Sequence, residues 1–124
     1  MGYEDDFPYT SVQVFAHYDN CKGLVNDELK ACGMLSIRNE IQKRFKVTPQ
    51  LKDIGGRQGV LMEIIIDESG EVEGIKTLQK TTVAMEEATK QAIHRLPKMN
   101  PAQQQGRNVR LRIEVPVVLS LKYS

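Results

Sequence analysis

The clearest signal in the chain is the run V-L-M-E-I-I-I from Val60 to Ile66, too short for a typical helix and rich in β-branched residues. Such a run predicts a largely buried central strand. Asp67-Glu68-Ser69-Gly70 then supplies turn chemistry, with Gly70 able to take the positive φ of a hairpin. In the strand that follows, Val72 and Ile75 have opposite parity, and the Gly74 between them predicts a bulge that returns both to the core face. Near the end of the chain Val109, Leu111, Ile113 and Val115 alternate with Arg110, Arg112 and Glu114, a period of two with one face for a core and one for water.

Helical spacing appears twice. Met34, Ile37, Ile41 and Phe45 recur along a segment led by Asp27 and Glu28, which predicts an amphipathic helix ending near Lys46, halted by Pro49 and the glycines Gly55, Gly56 and Gly59. Thr81 or Thr82 can cap a second helix, with Glu86 and Glu87 in its first turn and His94 and Arg95 in its last, an order that suits the helix dipole. Met85, Ala88, Ala92 and Leu96 form its apolar stripe, and Pro97 ends it. A short alternation over Ser11 to Tyr18 predicts one further strand.

These elements imply an α+β fold: two helices packed on one face of a three-stranded antiparallel sheet, with Ser11 to Tyr18 as an added short N-terminal strand. The 124 residues suffice for one domain, expected over residues 11–124, with residues 1–10 as a flexible lead-in. Lys and Arg number 17 against 16 Asp and Glu, a net charge of +1, and the two signs are interspersed. That distribution offers no footprint for nucleic acid or for an anionic membrane. No stretch approaches the roughly 18 apolar residues of a membrane span.

Candidate chemistry is sparse. His94 belongs to a helix C-terminus, where imidazole has a structural reason to be. His17 lies four residues before Cys21 but has no second ligand pair, so neither a metal nor any other cofactor is expected. Asp67, Ser69, Glu71 and Glu73 resemble part of a calcium loop but lack its closing Glu, and a hairpin turn accounts for them. No nucleophile stands beside an evident base, so the sequence predicts a binding protein and not an enzyme. Cys21 and Cys32 are eleven positions apart. In an oxidising compartment they are expected to bridge, and in a reducing one to remain part-buried thiols.

Pro116 gives the last strand its meaning. A proline cannot donate to a ladder and is tolerated at a sheet margin, so the segment Asn108, Val109, Arg110, Leu111, Arg112, Ile113, Glu114 and Val115 is expected at an edge. With the proline facing outward, alternation directs the main-chain groups of Arg110, Arg112 and Glu114 to the open side. Such an edge can take a partner strand through main-chain bonds alone, or pair with its own copy in a homodimer.

Taken in order, G-R-Q-G-V-L-M-E-I-I-I-D-E-S-G-E-V (Gly56 to Val72), L-P-K-M-N-P (Leu96 to Pro101) and Q-Q-Q-G-R-N-V-R-L-R-I-E-V-P-V-V-L-S-L (Gln103 to Leu121) resemble the TonB C-terminal domain over roughly residues 14 to 122. The paired cysteines Cys21 and Cys32, the second within the first helix, are similar to the branch found in Bacteroidetes. The chain departs from the family in having Thr48-Pro49 where Tyr-Pro is common, and Arg57 after the glycine where an apolar residue is usual. The resemblance implies a periplasmic domain that grips the TonB box of outer-membrane receptors and so drives active uptake. In whole family members this domain is anchored in the inner membrane of a Gram-negative bacterium by an N-terminal helix and coupled there to a proton-driven motor complex. The alternative is the same domain appended to another membrane protein, such as a signalling peptidase, or acting as a stand-alone scaffold.

Overall fold

The apolar run at Val60–Ile66 lies in the middle strand of a sheet. In the computed structural model, which describes residues 7–121, it forms the greater part of β1 (Gly56–Ile66). β1 is flanked by β2 (Val72–Thr77) on one side and β5 (Leu111–Leu121) on the other, both antiparallel. Val60, Met62, Ile64 and Ile66 of β1 and Leu111, Ile113, Val115 and Val117 of β5 point to one face and are buried there. Helices α1 (Asn26–Arg44) and α3 (Val83–His94) cover that face. α1 contributes Leu29, Ile37 and Ile41, and α3 contributes Met85, Ala88, Thr89, Ala92 and Ile93. The expected α+β layering is therefore present, with Met34, Phe45 and Leu96 of the predicted stripes only partly buried at its margins.

The hairpin between β1 and β2 follows from its turn residues. Asp67 Oδ1 accepts from the Ser69 and Glu71 N–H groups at 2.9 and 3.0 Å and from the Ser69 hydroxyl at 2.6 Å. Partial burial raises the Asp67 pKa, but these bonds, with one from the Gly70 N–H, outweigh it and leave the carboxyl below its ordinary range. Gly70 has φ +90°, and a Cβ there would lie 1.7 Å from the Met99 carbonyl oxygen. The turn is thus pressed against the Leu96–Pro101 link, to which Gly70 O is bonded by the Met99 N–H at 3.0 Å. The expected bulge in β2 is present: Ile65 faces Gly74 and Ile66 faces Val72, so Glu73 is the extra residue.

Two features differ from the sequence expectation. A short helix α2 (Pro49–Ile54) stands where Pro49 was expected only to stop α1. Pro49 occupies the first turn, where a missing N–H costs nothing, and Thr48 Oγ1 caps the helix by accepting from the Leu51 N–H at 3.3 Å. Buried Gln58 ties α2 to α3, donating to Leu51 O and accepting from the capping Thr82 hydroxyl.

Ser11–Tyr18 is the second difference, because it is not a strand. It runs beside β3 (Ala102–Gln104) and the preceding link, touching them through isolated bridges at Val14↔Gln103 and His17↔Asn100. Strand alternation fails because Phe15 and Ala16 are both buried. α1 lies directly on them, and a Cβ on Gly33 would come within 2.6 Å of the Ala16 oxygen. Among the described strands β3 forms its ladder with β4 (Arg107–Val109).

Beside that segment Cys21 and Cys32 are joined in a disulfide with an S–S distance of 2.07 Å, tying the 3₁₀ turn at Asp19–Cys21 to α1. Tyr18 donates to Pro97 O at 3.0 Å. Burial, with Glu40 nearby, pushes its phenol up to about 12, so it remains a donor. Of the expected 1–10 lead-in, residues 1–6 lie outside the described residues, and Tyr9 packs against the core.

Candidate functional site: the outer edge of β5

All eleven residues of β5 pair with β1, from Leu111↔Ile66 to Leu121↔Gly56, without a register shift. Among the described residues no strand lies on its other side. Tyr9 bonds to it there: the Tyr9 N–H donates to Arg110 O at 2.9 Å and the Arg112 N–H donates to Tyr9 O at 2.8 Å. This single parallel bridge fixes the phase of the whole edge. Since the Arg110 carbonyl and the Arg112 N–H face outward, the two-residue alternation turns the main-chain groups of Glu114, Pro116, Val118 and Ser120 outward as well. Pro116 therefore stands where its missing donor leaves no gap in the ladder to β1.

The sequence-predicted segment is divided by the fold. Asn108 and Val109 belong to β4 and pair with Gln103 and Ala102, so their ladder is the small second sheet. Arg110 is the break between β4 and β5. Leu111, Ile113 and Val115 are buried beneath the helices, while Arg112 and Glu114 lie on the opposite face of the sheet. The edge also continues past Val115 to Leu121, further than the alternation of charged residues suggested.

The open face of the sheet beside this edge is charged in both signs. Arg110 binds Glu73 through two bonds of 2.8 Å, reaching across β1 to the bulge in β2. Arg112 approaches Glu63 at 3.7 Å. Elsewhere His17 Nδ1 lies 2.7 Å from the Phe15 carbonyl, and the neighbouring Cys21 is held in its disulfide, so the His17–Cys21 spacing does not form a metal site.

Residues that the sequence did not single out for binding flank both ends of the edge. Tyr9 covers its start. Towards its end Gln42, Phe45 and Val47 face Val117, Val118 and Leu119 across a cavity of about 220 Å³. The only sequence trace of that cavity is the unbroken apolar run Val117–Leu119 after the alternation ends.

The family described as Gram-negative bacterial TonB protein C-terminal matches residues 48–121, which span α2, the whole three-stranded sheet and α3. The chain belongs to the TonB C-terminal domain family. Among solved structures it is similar in fold to the NMR solution structure of Helicobacter pylori TonB-CTD (residues 179–285), at 23% identity over 83% of this chain and 89% of that one, with a TM-score of 0.54. A shorter form of the same H. pylori domain (residues 194–285) aligns at 27% identity over 73% of this chain and 95% of that one, with a TM-score of 0.45. No curated protein matches. TonB C-terminal domains are periplasmic, non-enzymatic interaction domains of Gram-negative bacteria. The family match begins at Thr48, so α1 and the disulfide lie outside it. Among the described residues no helix is long and apolar enough to cross a membrane.

Proposed function

We propose that this chain is the receptor-gripping end of a TonB-type energy transducer, and that it holds the TonB box of an outer-membrane receptor as an added strand on the outer edge of β5. One observation carries the reading: an edge strand of eleven residues in unbroken register, whose single proline falls among the outward-facing positions. Such an edge presents a row of main-chain donors and acceptors to an extended peptide and makes little demand on its sequence. Arg112 and Glu114 supply outward groups at one end and Val118 and Ser120 at the other. In this reading the inner-membrane anchor and its proton-driven motor complex act through a segment outside these 124 residues.

About four to six main-chain bonds at ~1 kcal/mol net each leave little after the cost of association, so the grip is of modest affinity. A grip that must release after each pull requires that. The test is a titration of the domain with a synthetic TonB-box peptide, in the native protein and in Glu114→Pro. Undiminished binding in a folded Glu114→Pro protein removes β5 from the site. Self-pairing of two β5 edges in a homodimer is the competing use of the same groups. Sedimentation with and without peptide separates the two, since a β5-paired dimer dissociates when peptide binds.

A further inference from the structure

The geometry points to a side-chain subsite at the far end of the β5 edge: the cavity between the end of α1 and Val117–Leu119 receives one aliphatic side chain of the segment added to β5. This rests on the strand-addition reading above and adds a sequence requirement to it.

The cavity is built from both layers of the fold. Gln42 comes from the last turns of α1, Phe45 caps that helix, and Val47 lies on the extended link to α2. On the sheet side Val117 is buried and Leu119 half-buried, while Val118 lies on the strand between them. None of the six lining residues carries a charge, and the Gln42 amide is the single polar side chain among them. A charged occupant would lose its hydration with no partner in return, so the site selects a neutral, apolar one. Its volume of about 220 Å³ exceeds the roughly 150 Å³ that accommodates benzene in an engineered apolar cavity, which leaves room for a branched aliphatic side chain.

The occupant follows from strand geometry. Val117 and Leu119 direct their side chains to the helical layer, and a residue paired opposite either of them on an added strand has its side chain on that same face. This holds whether the added strand runs parallel or antiparallel. The cavity opens where such a side chain arrives. Its two sequence neighbours on the added strand point to the other face, beside Val118 and either Pro116 or Ser120, away from this cavity. The recognised segment therefore has one aliphatic anchor between two tolerant positions. Tyr9 occupies the opposite end of the edge, at Arg112. That is six residues from Val118, about 20 Å along the strand, so the anchor can seat before Tyr9 is displaced.

The test uses the 124-residue protein and a fluorescein-labelled TonB-box peptide, with each peptide residue changed in turn to Val, Ala and Lys and binding read by anisotropy. At one position Val is expected to bind about tenfold more tightly than Ala and more tightly still than Lys, with the adjacent positions changing affinity less than twofold. Val47 is 39% exposed and tolerates exchange, so Val47→Glu is expected to weaken the Val peptide about tenfold and to strengthen the Lys peptide. Gln42→Glu, at an exposed helical position lining the same cavity, should shift the preference in the same direction. A flat scan overturns the subsite, as does equal weakening of both peptides by both variants. Peptides N-methylated at alternate residues separate this from the parent reading. If N-methylation abolishes binding while the scan is flat, strand addition stands and the subsite falls. If no peptide binds, or N-methylation has no effect, both fall.

Discussion

The sheet has two edges, and they are built differently. β2 has six residues, and its register with β1 slips at Glu73, whose side chain is held by Arg110. Shortness, a bulge and charge are the usual ways a protein keeps an edge from accepting another strand. β5 has eleven residues in continuous register, and where β2 has a bulge it has only an outward proline. Both strands turn apolar side chains to the helical face, Leu111, Ile113, Val115 and Val117 of β5 buried and Val72 and Ile75 of β2 partly buried, which leaves the outer main-chain groups of either strand untouched. The contrast lies in the main chain: one edge is closed for stability and the other is left available for pairing. Changes on the β2 side should accordingly cost folding, and changes on the β5 side should cost binding.

The largest effect is expected at the hinge of the β2 hairpin. Gly70→Ala places a methyl 1.7 Å from the Met99 oxygen at a residue with φ +90°. Strain and overpacking together should cost about 3 kcal/mol, seen as a fall in Tm of ~10 °C by calorimetry. Peptide affinity measured well below the new Tm should stay within twofold. A matching loss of affinity would show that the two sides of the sheet are not separable.

Next in size is the disulfide, which belongs to neither edge. Replacing Cys21 and Cys32 together by Ala removes a bridge across eleven residues, worth about 2.5 kcal/mol on the loop-entropy model. An unfolding free energy from denaturant titration that falls by that amount with unchanged peptide binding would mark the N-terminal layer as scaffold. Lost binding would extend the site beyond β5.

How far this contrast could be read from sequence varies with the kind of signal. β1, the hairpin, α3 and β5 were legible because each is a contiguous run with its own period and its own stop, and Pro116 announced the edge. α2 was missed because Thr48-Pro49 serves equally as the end of one helix and the start of the next, and six residues are too few to show a period. Ser11–Tyr18 imitated a strand, but burial of the adjacent Phe15 and Ala16 under α1 is a tertiary effect with no trace in its alternation. The Tyr9 bridge uses main-chain atoms alone, which any residue has. The cavity at Val117–Leu119 exists only because sheet pairing brings residues some seventy positions apart to the end of α1.

The edges can be compared directly by placing a proline on each. Leu78 N–H donates to Leu61 O at 2.9 Å, so alternation turns the Thr77 N–H outward from β2, as it turns the Glu114 N–H outward from β5. Both Thr77→Pro and Glu114→Pro thus leave the ladders to β1 intact and should shift Tm only slightly. Glu114→Pro removes one donor and sets a ring in the path of an added strand, about 1.5 kcal/mol or tenfold in Kd. Thr77→Pro should leave Kd unchanged. Equal losses from the two would assign binding to both edges and remove the contrast.

The smallest effect concerns the part of the β5 edge that the protein covers itself. Tyr9 accepts from the Arg112 N–H and donates to Arg110 O, so a strand that uses the start of β5 must first break two main-chain bonds. At ~1 kcal/mol net for each, partly regained from the new partner, removal of residues 1–10 should tighten peptide binding about threefold to fivefold. The same truncation uncovers apolar surface that Tyr9 packs against, so stability should fall by roughly 1 kcal/mol. The opposed signs make the experiment informative, because damage to the fold would lower both quantities. If affinity falls while the truncated protein is still fully folded at the assay temperature, Tyr9 is part of the binding surface and not its competitor. If affinity rises while stability falls, the two bonds at Arg110 and Arg112 act as a latch on the strand that the receptor must take.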